Sequence, residues 1–460
     1  MIKQIAVVSL LLGVSLVGLA EDHSEFFEDD FGSPQEVTTY CLECHGEAGE
    51  AFLHSDHWNW TGMPEMIEGH DQPLSIGKKN VLNNFCIGLE ANWPRCTSCH
   101  AGYGWQDASF DFSNPENIDC LICHDGSGTY RKNPKGAGMP TDDVDLLTVA
   151  RSVTLTSRET CGACHFYGGG GNNVKHGDLE NALVDPPESL DVHMGGMDFS
   201  CTECHLTDDH NISGNSLSIS THSETLACEN CHSDAPHEAR FAKYLNRHVK
   251  TVACQTCHIP EFARANPTKM EWDWSQAGQD REPGKDQYGK KDYDKKKGAF
   301  VWGKDVIPEY AWYNGNSQHM ILGDELVMDS VNQITAPIGD IEDPDARIYP
   351  FKIHRGKQIA DRQNHYLLPV HLFGKGGYWA TFDWQQSATN GAAAAGIEYS
   401  GGYTFVETEM YWKINHMVAP QDEALSCRDC HIRNGQARLD WELLGYDGDP
   451  MFEKLSRFSQ

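Results

Sequence analysis

Cys228-Glu229-Asn230-Cys231-His232 and Cys254-Gln255-Thr256-Cys257-His258 start 26 residues apart, and the same Cys-x-x-Cys-His pattern occurs at six other places. Composition alone, 17 cysteines and 23 histidines in 460 residues, predicts roughly 0.03 occurrences. The pattern is the attachment signature of c-type haem: two thiols form thioethers to the porphyrin, and the adjacent histidine reaches the iron. The paired thiols are Cys41 and Cys44, Cys96 and Cys99, Cys120 and Cys123, Cys161 and Cys164, Cys201 and Cys204, Cys228 and Cys231, Cys254 and Cys257, and Cys427 and Cys430. The proximal histidines are His45, His100, His124, His165, His205, His232, His258 and His431. Structural zinc combines CxxC pairs into tetrahedral sites and has no use for a histidine after every pair. A redox-active CxxC does not require that histidine either. The expectation is eight covalently bound c-type haems.

The first 20 residues set the compartment. Lys3 supplies a positive start, Ile5 to Leu19 an apolar run, and Gly18-Leu19-Ala20 a small-residue cleavage site before Glu21-Asp22. That is a secretory signal peptide. Its apolar run is short for a membrane span of roughly 20 residues. Export to the periplasm, without stable membrane insertion after cleavage, is expected. The balance of 67 acidic against 36 basic residues, a net charge of −31, argues against binding nucleic acid or an anionic membrane.

Seven motifs fall between Cys41 and His258, and 168 residues then pass before Cys427. So many cofactors leave little room for a conventional core. The expected fold is a multihaem c-type cytochrome, mainly α with extensive coil and few strands, organised around eight close-packed haems. The divisions are 21–258 with seven sites, 259–426 without haem but packing on the haem core, and 427–460 with the eighth. Motif starts are spaced irregularly, so this is not a tandem array. Lys285 to Lys297 reads as an exposed loop, Val301 to Tyr313 as aromatic packing for haem edges, and Gly391 to Gly396 as helix or loop.

Six-coordinate irons need distal ligands, and 15 histidines lie outside the motifs. His193, His222 and His248 closely precede Cys201, Cys228 and Cys254, and His416 precedes Cys427. His210 and His237 each follow a motif histidine by five residues, and His54 or His57 follows His45. Of the latter two, His57 is carried forward. His70, His176, His319, His354, His365 and His371 remain available. Cys86 belongs to no motif and lies ten residues before Cys96. It reads either as a small buried hydrophobe or as a thiol beside an iron.

Eight motifs in this order, a free cysteine ahead of the second, and Gly168-Gly169-Gly170-Gly171-Asn172-Asn173-Val174-Lys175-His176-Gly177 after the fourth resemble octahaem tetrathionate reductase. The resemblance covers essentially the whole mature chain. It implies that Lys175 is the distal ligand of the second haem and that Cys86 is the active-site cysteine. It also implies a close-packed haem network that reduces tetrathionate, with nitrite and hydroxylamine as other substrates. A primary amine binds iron only when neutral, so a lysine in that role must be desolvated or metal-bound.

Two other classes stay open. One is an electron conduit with every iron saturated by histidine. The other oxidises hydroxylamine and needs a tyrosine cross-linked to its catalytic haem; Tyr366, Tyr399, Tyr403 and Tyr411 lie in the corresponding late region. No Cys-x-x-Cys-Lys motif is present, which removes the proximal-lysine nitrite reductases. The expected partners are a redox donor protein or quinol-linked cytochrome and a small oxyanion.

Overall fold

The computed structural model describes residues 23–67, 69–85, 88–218, 226–238, 240–433, 435 and 437–452. The leader, Cys86 and His222 lie outside the described residues.

Helix is short and gathers where haem attachment demands it. A helical turn brings residues i and i+3 to one face, which aims both thiols of a motif the same way. The first motif lies within α1 (Pro34–Phe52), where the Ser33 hydroxyl accepts from Glu36 N–H and Pro34 opens the first turn. His45 itself leaves helical geometry, at φ −111° and ψ 34°. The fourth ends α2 (Arg158–His165), opened by reciprocal bonds between Ser157 and Thr160. The others occupy single turns, among them Leu121–His124, Cys254–His258 and Cys427–Cys430. No helix among the described residues is long and apolar enough to cross a membrane.

The expectation of few strands fails between residues 268 and 413. Eight strands there form one sheet: β1 Thr268–Asp273, β2 Tyr293–Asp294, β3 Gly298–Gly303, β4 Glu309–Tyr313, β5 Ser317–His319, β6 Asn332–Pro337, β7 Arg347–Asp361 and β8 Tyr403–Lys413. Their order is β2-β3-β1-β7-β8-β6-β5, with β4 also pairing β7. β7 runs antiparallel to β8 over 11 residue pairs, from Phe351↔Lys413 to Asp361↔Tyr403. Its alternation was masked in the sequence because Lys352, His354 and Gln358 occupy buried positions that normally carry apolar side chains. This segment is therefore a sheet, and "mainly α" does not describe the chain. The Gly/Ala stretch lies in α3 (Trp384–Ala395), which stops at Gly396 in the left-handed region at φ 69°.

The sheet is not a separate body. Leu82, Phe85 and Val174 from the motif-rich half share a buried cluster with Trp272, Ile359, Met410 and Trp412. Through that cluster the haem-free segment reaches the lysine loop.

Candidate haem ligands and active site

Seven of the eight motif histidines face a second imidazole. Ring centroids are 6.2 Å apart for His45 and His23, 6.4 Å for His124 and His210, and 6.0 Å for His165 and His57. They are 6.3 Å apart for His205 and His416, and 6.1 Å for His232 and His193. For His258 and His237 the gap is 6.3 Å, and for His431 and His248 it is 6.1 Å. A metal between two imidazole nitrogens, each bond about 2 Å, sets the centroids roughly 6 Å apart. These residues fit haem iron. Burial lowers the pKa of His57, His205, His210, His248 and His258 and takes His165 to about 3, which keeps the rings neutral as ligation requires.

The motif thiols show which attachment sites are neighbours. Cys120 lies beside Cys41, Cys164 beside Cys99, Cys161 beside Cys201 and Cys228 beside Cys254. Cys123 lies within electrostatic reach of Cys161, Cys231 of Cys204, and Cys430 of Cys257. The sites therefore run 1-3-4-5-6-7-8, and the second site branches from the fourth.

His100 is the exception. Among the described residues no imidazole faces it. Its ring stands 4.8 Å from Trp105, 5.1 Å from Trp58 and 5.4 Å from Trp60, and Nε2 is 2.7 Å from Trp58 O. Iron ligation here requires the ring to turn from that carbonyl. Burial takes its pKa to about 3, and Lys132 and Lys78 push the same way. Lys132 also donates to His100 O and pairs with buried Asp119 at 2.9 Å.

Lys175 lies within electrostatic reach of Cys99, beside this motif. Burial, helped by Lys78, lowers its pKa to about 7, so the neutral amine is accessible near neutrality. Its Nζ lies 4.6 Å from the Trp412 ring centroid. The glycines have a local cause: Gly169 and Gly170 sit at φ 75° and 97°, and a Cβ on Gly168 would come within 3.0 Å of Lys175 Cδ.

The loop is held from the sheet. Lys352, 0% exposed, donates from Nζ to Val174 O and Lys175 O at 2.9 Å each, and to Thr268 Oγ1 at 2.6 Å. Thr268 gives its own proton to Asn173 O at 2.5 Å, so its oxygen accepts from Lys352. Three acceptors need three N–H groups. Lys352 is therefore an ammonium, although burial lowers its pKa.

Known proteins match this arrangement. A family model described as "Cytochrome c bacterial" covers residues 269–434. The crystal structure of an octahaem cytochrome c from Shewanella oneidensis superposes with a TM-score of 0.89 at 48% identity, over 95% of this chain and 99% of that one. The chain belongs to the octahaem cytochromes c. An uncharacterised protein of Archaeoglobus fulgidus is 24% identical over 245 residues, 43% of this chain and 82% of that one. The octahaem cytochrome carries covalently bound c-type haems and is a multihaem electron-transfer protein of the oxidoreductase kind.

Sequence reasoning on this octahaem cytochrome missed His23, which faces His45 from a position 18 residues before Cys41. His57, His193, His210, His237, His248 and His416 each stand opposite a motif histidine. His54 is exposed and lies beside Glu50 instead. Of the late tyrosines, Tyr411 packs on Phe351, on the sheet face opposite Trp412 and hence away from Lys175. Tyr366 and Tyr399 bond to Glu398 O and Gln385.

Two of the paired histidines carry a carboxylate partner. His431 Nδ1 lies 2.6 Å from Asp449 Oδ1, and His416 Nδ1 lies 3.0 Å from Asp178 Oδ2. His124 and His205 use the carbonyls of Thr154 and Ser213. A carboxylate makes the imidazole more basic and favours the ferric state. Asp449→Asn should raise the potential of the haem at Cys427 and Cys430, by about 59 mV for each tenfold loss of that preference. Potentiometric titration of the holoprotein checks it; an unchanged eighth component refutes the role.

Proposed function

We propose that this chain is an exported eight-haem reductase that passes electrons through seven bis-histidine haems to one lysine-ligated haem, where tetrathionate becomes thiosulfate. Nitrite and hydroxylamine are further substrates of the same site. The observation that carries the reading is at His100. Among the described residues it is the one motif histidine without a facing imidazole, and Lys175, Lys78 and Lys132 gather at its motif. A conduit with every iron saturated would need a histidine there. Lys175 is assigned as the distal ligand. The remaining distal ligands are His23, His57, His193, His210, His237, His248 and His416. The haems supply electrons one at a time, entering from a periplasmic donor protein or quinol-linked cytochrome. In a chain of net charge −31, Lys78 and Lys132, the latter paired with Asp119, supply the positive charge beside this motif, while the ligating amine of Lys175 is neutral.

Cys86 completes the reading. Its thiolate attacks the central S–S bond of tetrathionate, forming a Cys86 S-sulfonate-sulfur adduct and releasing one thiosulfate. Two electrons then cleave the new S–S bond, releasing the second thiosulfate and restoring the thiolate. Steady-state assays with pre-reduced protein and each of the three substrates test the function. Cys86→Ser should lower tetrathionate turnover at least about a hundredfold and spare hydroxylamine reduction. Equal retention of both activities would sink the nucleophile.

A further inference from the structure

The chain leaving the second motif is tied to the chain approaching the third. Asp119 N–H donates to Ala101 O at 3.0 Å and Tyr103 N–H to Asn117 O at 2.8 Å. Asp119 carries a buried ion pair: its side chain is 0% exposed, that of Lys132 is 8% exposed, and Nζ lies 2.9 Å from Oδ2. Asp119 Oδ1 also accepts from Tyr103 OH at 2.9 Å and Ile122 N–H at 3.1 Å, and Oδ2 from Tyr130 OH at 2.8 Å. Burial and the Asp119 charge raise the pKa of both phenols, so both stay protonated as donors.

The pair has a direction. Lys132 Nζ donates to the carbonyl of His100, the histidine of the second motif, whereas Asp119 immediately precedes Cys120, the first thiol of the third. The fields follow the same division. Lys132 outweighs Asp119 at Cys99, at His100 and at Cys164 of the fourth motif, while Asp119 outweighs Lys132 at Cys120 and Cys123. Stability alone does not account for such a pair, because apolar residues of the same volume often do as well. Its other physical effect is electrostatic. A fixed positive charge favours ferrous iron, which carries one positive charge fewer than ferric, and a fixed negative charge favours ferric iron.

We propose that Lys132 and Asp119 act as positioning residues for electrons at the branch of the haem network, Lys132 raising the potential of the second and fourth sites and Asp119 lowering that of the third. Electrons held at the third site then run downhill through the fourth to the second. Only the meaning of that direction rests on the reading of the Lys175 site as the place of reduction.

Spectroelectrochemical titration of the holoprotein tests the proposal without turnover. In the double variant Lys132→Met, Asp119→Asn both charges go with little change of volume, so no lone charge is left buried. The preference of the second haem for ferrous iron should fall about tenfold, a downward shift of about 59 mV for a one-electron couple. One bis-histidine component should move up. Lys132→Arg keeps the charge in a different geometry and should keep the native potentials. Asp119→Asn alone removes only the negative end; it should raise a bis-histidine component more than the lysine-ligated one, and it reads the same field should the double variant fail to mature. Unmoved potentials, movement of both components in one direction in the double variant, or an arginine variant shifted as far as the neutral one overturns the proposal, because a purely structural pair predicts no opposed shifts. Opposed movement of two components does not depend on what ligates the second iron. The proposal can therefore fail while the Lys175→Ala spectrum changes as expected, and it can hold when that spectrum does not change.

Discussion

Lys175→Ala should leave seven haems spectroscopically unchanged and convert the second, at Cys96 and Cys99, to a water- or hydroxide-bound form, with tetrathionate turnover down on the order of tenfold or more. The expectation follows from what surrounds the amine. Burial and Lys78 bring its pKa to about 7, so little free energy is needed to present the neutral form. Among the described residues no imidazole stands opposite His100 to take its place. The seven facing pairs share no residue with the loop, so the substitution should not reach them. Magnetic circular dichroism or low-temperature electron paramagnetic resonance resolves the minority component. If all eight signals and full activity persist, Lys175 binds nothing and the reading of the site is wrong.

Haem attachment was legible because it is covalent and local. Two thiols and an imidazole must meet one porphyrin from a single turn, so the residues are adjacent in sequence. Distal ligation obeys no such rule. Candidates found by nearness to a motif stand opposite motif histidines, but not the nearest ones. His248 precedes Cys254 by six residues and faces His431; His416 precedes Cys427 and faces His205. Each such histidine stands opposite the histidine of a different motif from the one it adjoins. His23 escaped because it lies beyond the short window around a motif. Lys175 was visible only through its glycine loop and family resemblance. The strand that carries Lys352 and His354 was not legible, because polar residues on a buried strand face erase the alternation that would announce it.

Lys352→Met should therefore have a large effect far from any haem motif. Methionine approximates the volume of the lysine stem but leaves Val174 O, Lys175 O and Thr268 Oγ1 without their donor. Each buried acceptor so abandoned costs about 1–3 kcal/mol, partly offset by no longer burying a charge, and a net loss of ~3 kcal/mol is expected. The loss is directional as well as energetic. Thr268 still donates to Asn173 O and keeps a long 3.4 Å contact to Val174 O, but the carbonyls of Val174 and Lys175 lose the ammonium that fixes them. The amine loses its preset position, so the lysine-ligated signal should broaden or give way to the water-bound form seen with Lys175→Ala. The seven histidine pairs should persist. Thr268→Val removes one of the three acceptors and the bond to Asn173, and should show a smaller version of both changes. Chemical denaturation of the holoprotein measures the first effect, and the minority haem spectrum the second. A stable Lys352→Met protein with an intact lysine signal would mean that the loop holds itself, through Gly169, Gly170 and Asn173 at positive φ, and that the sheet contributes only its apolar contacts.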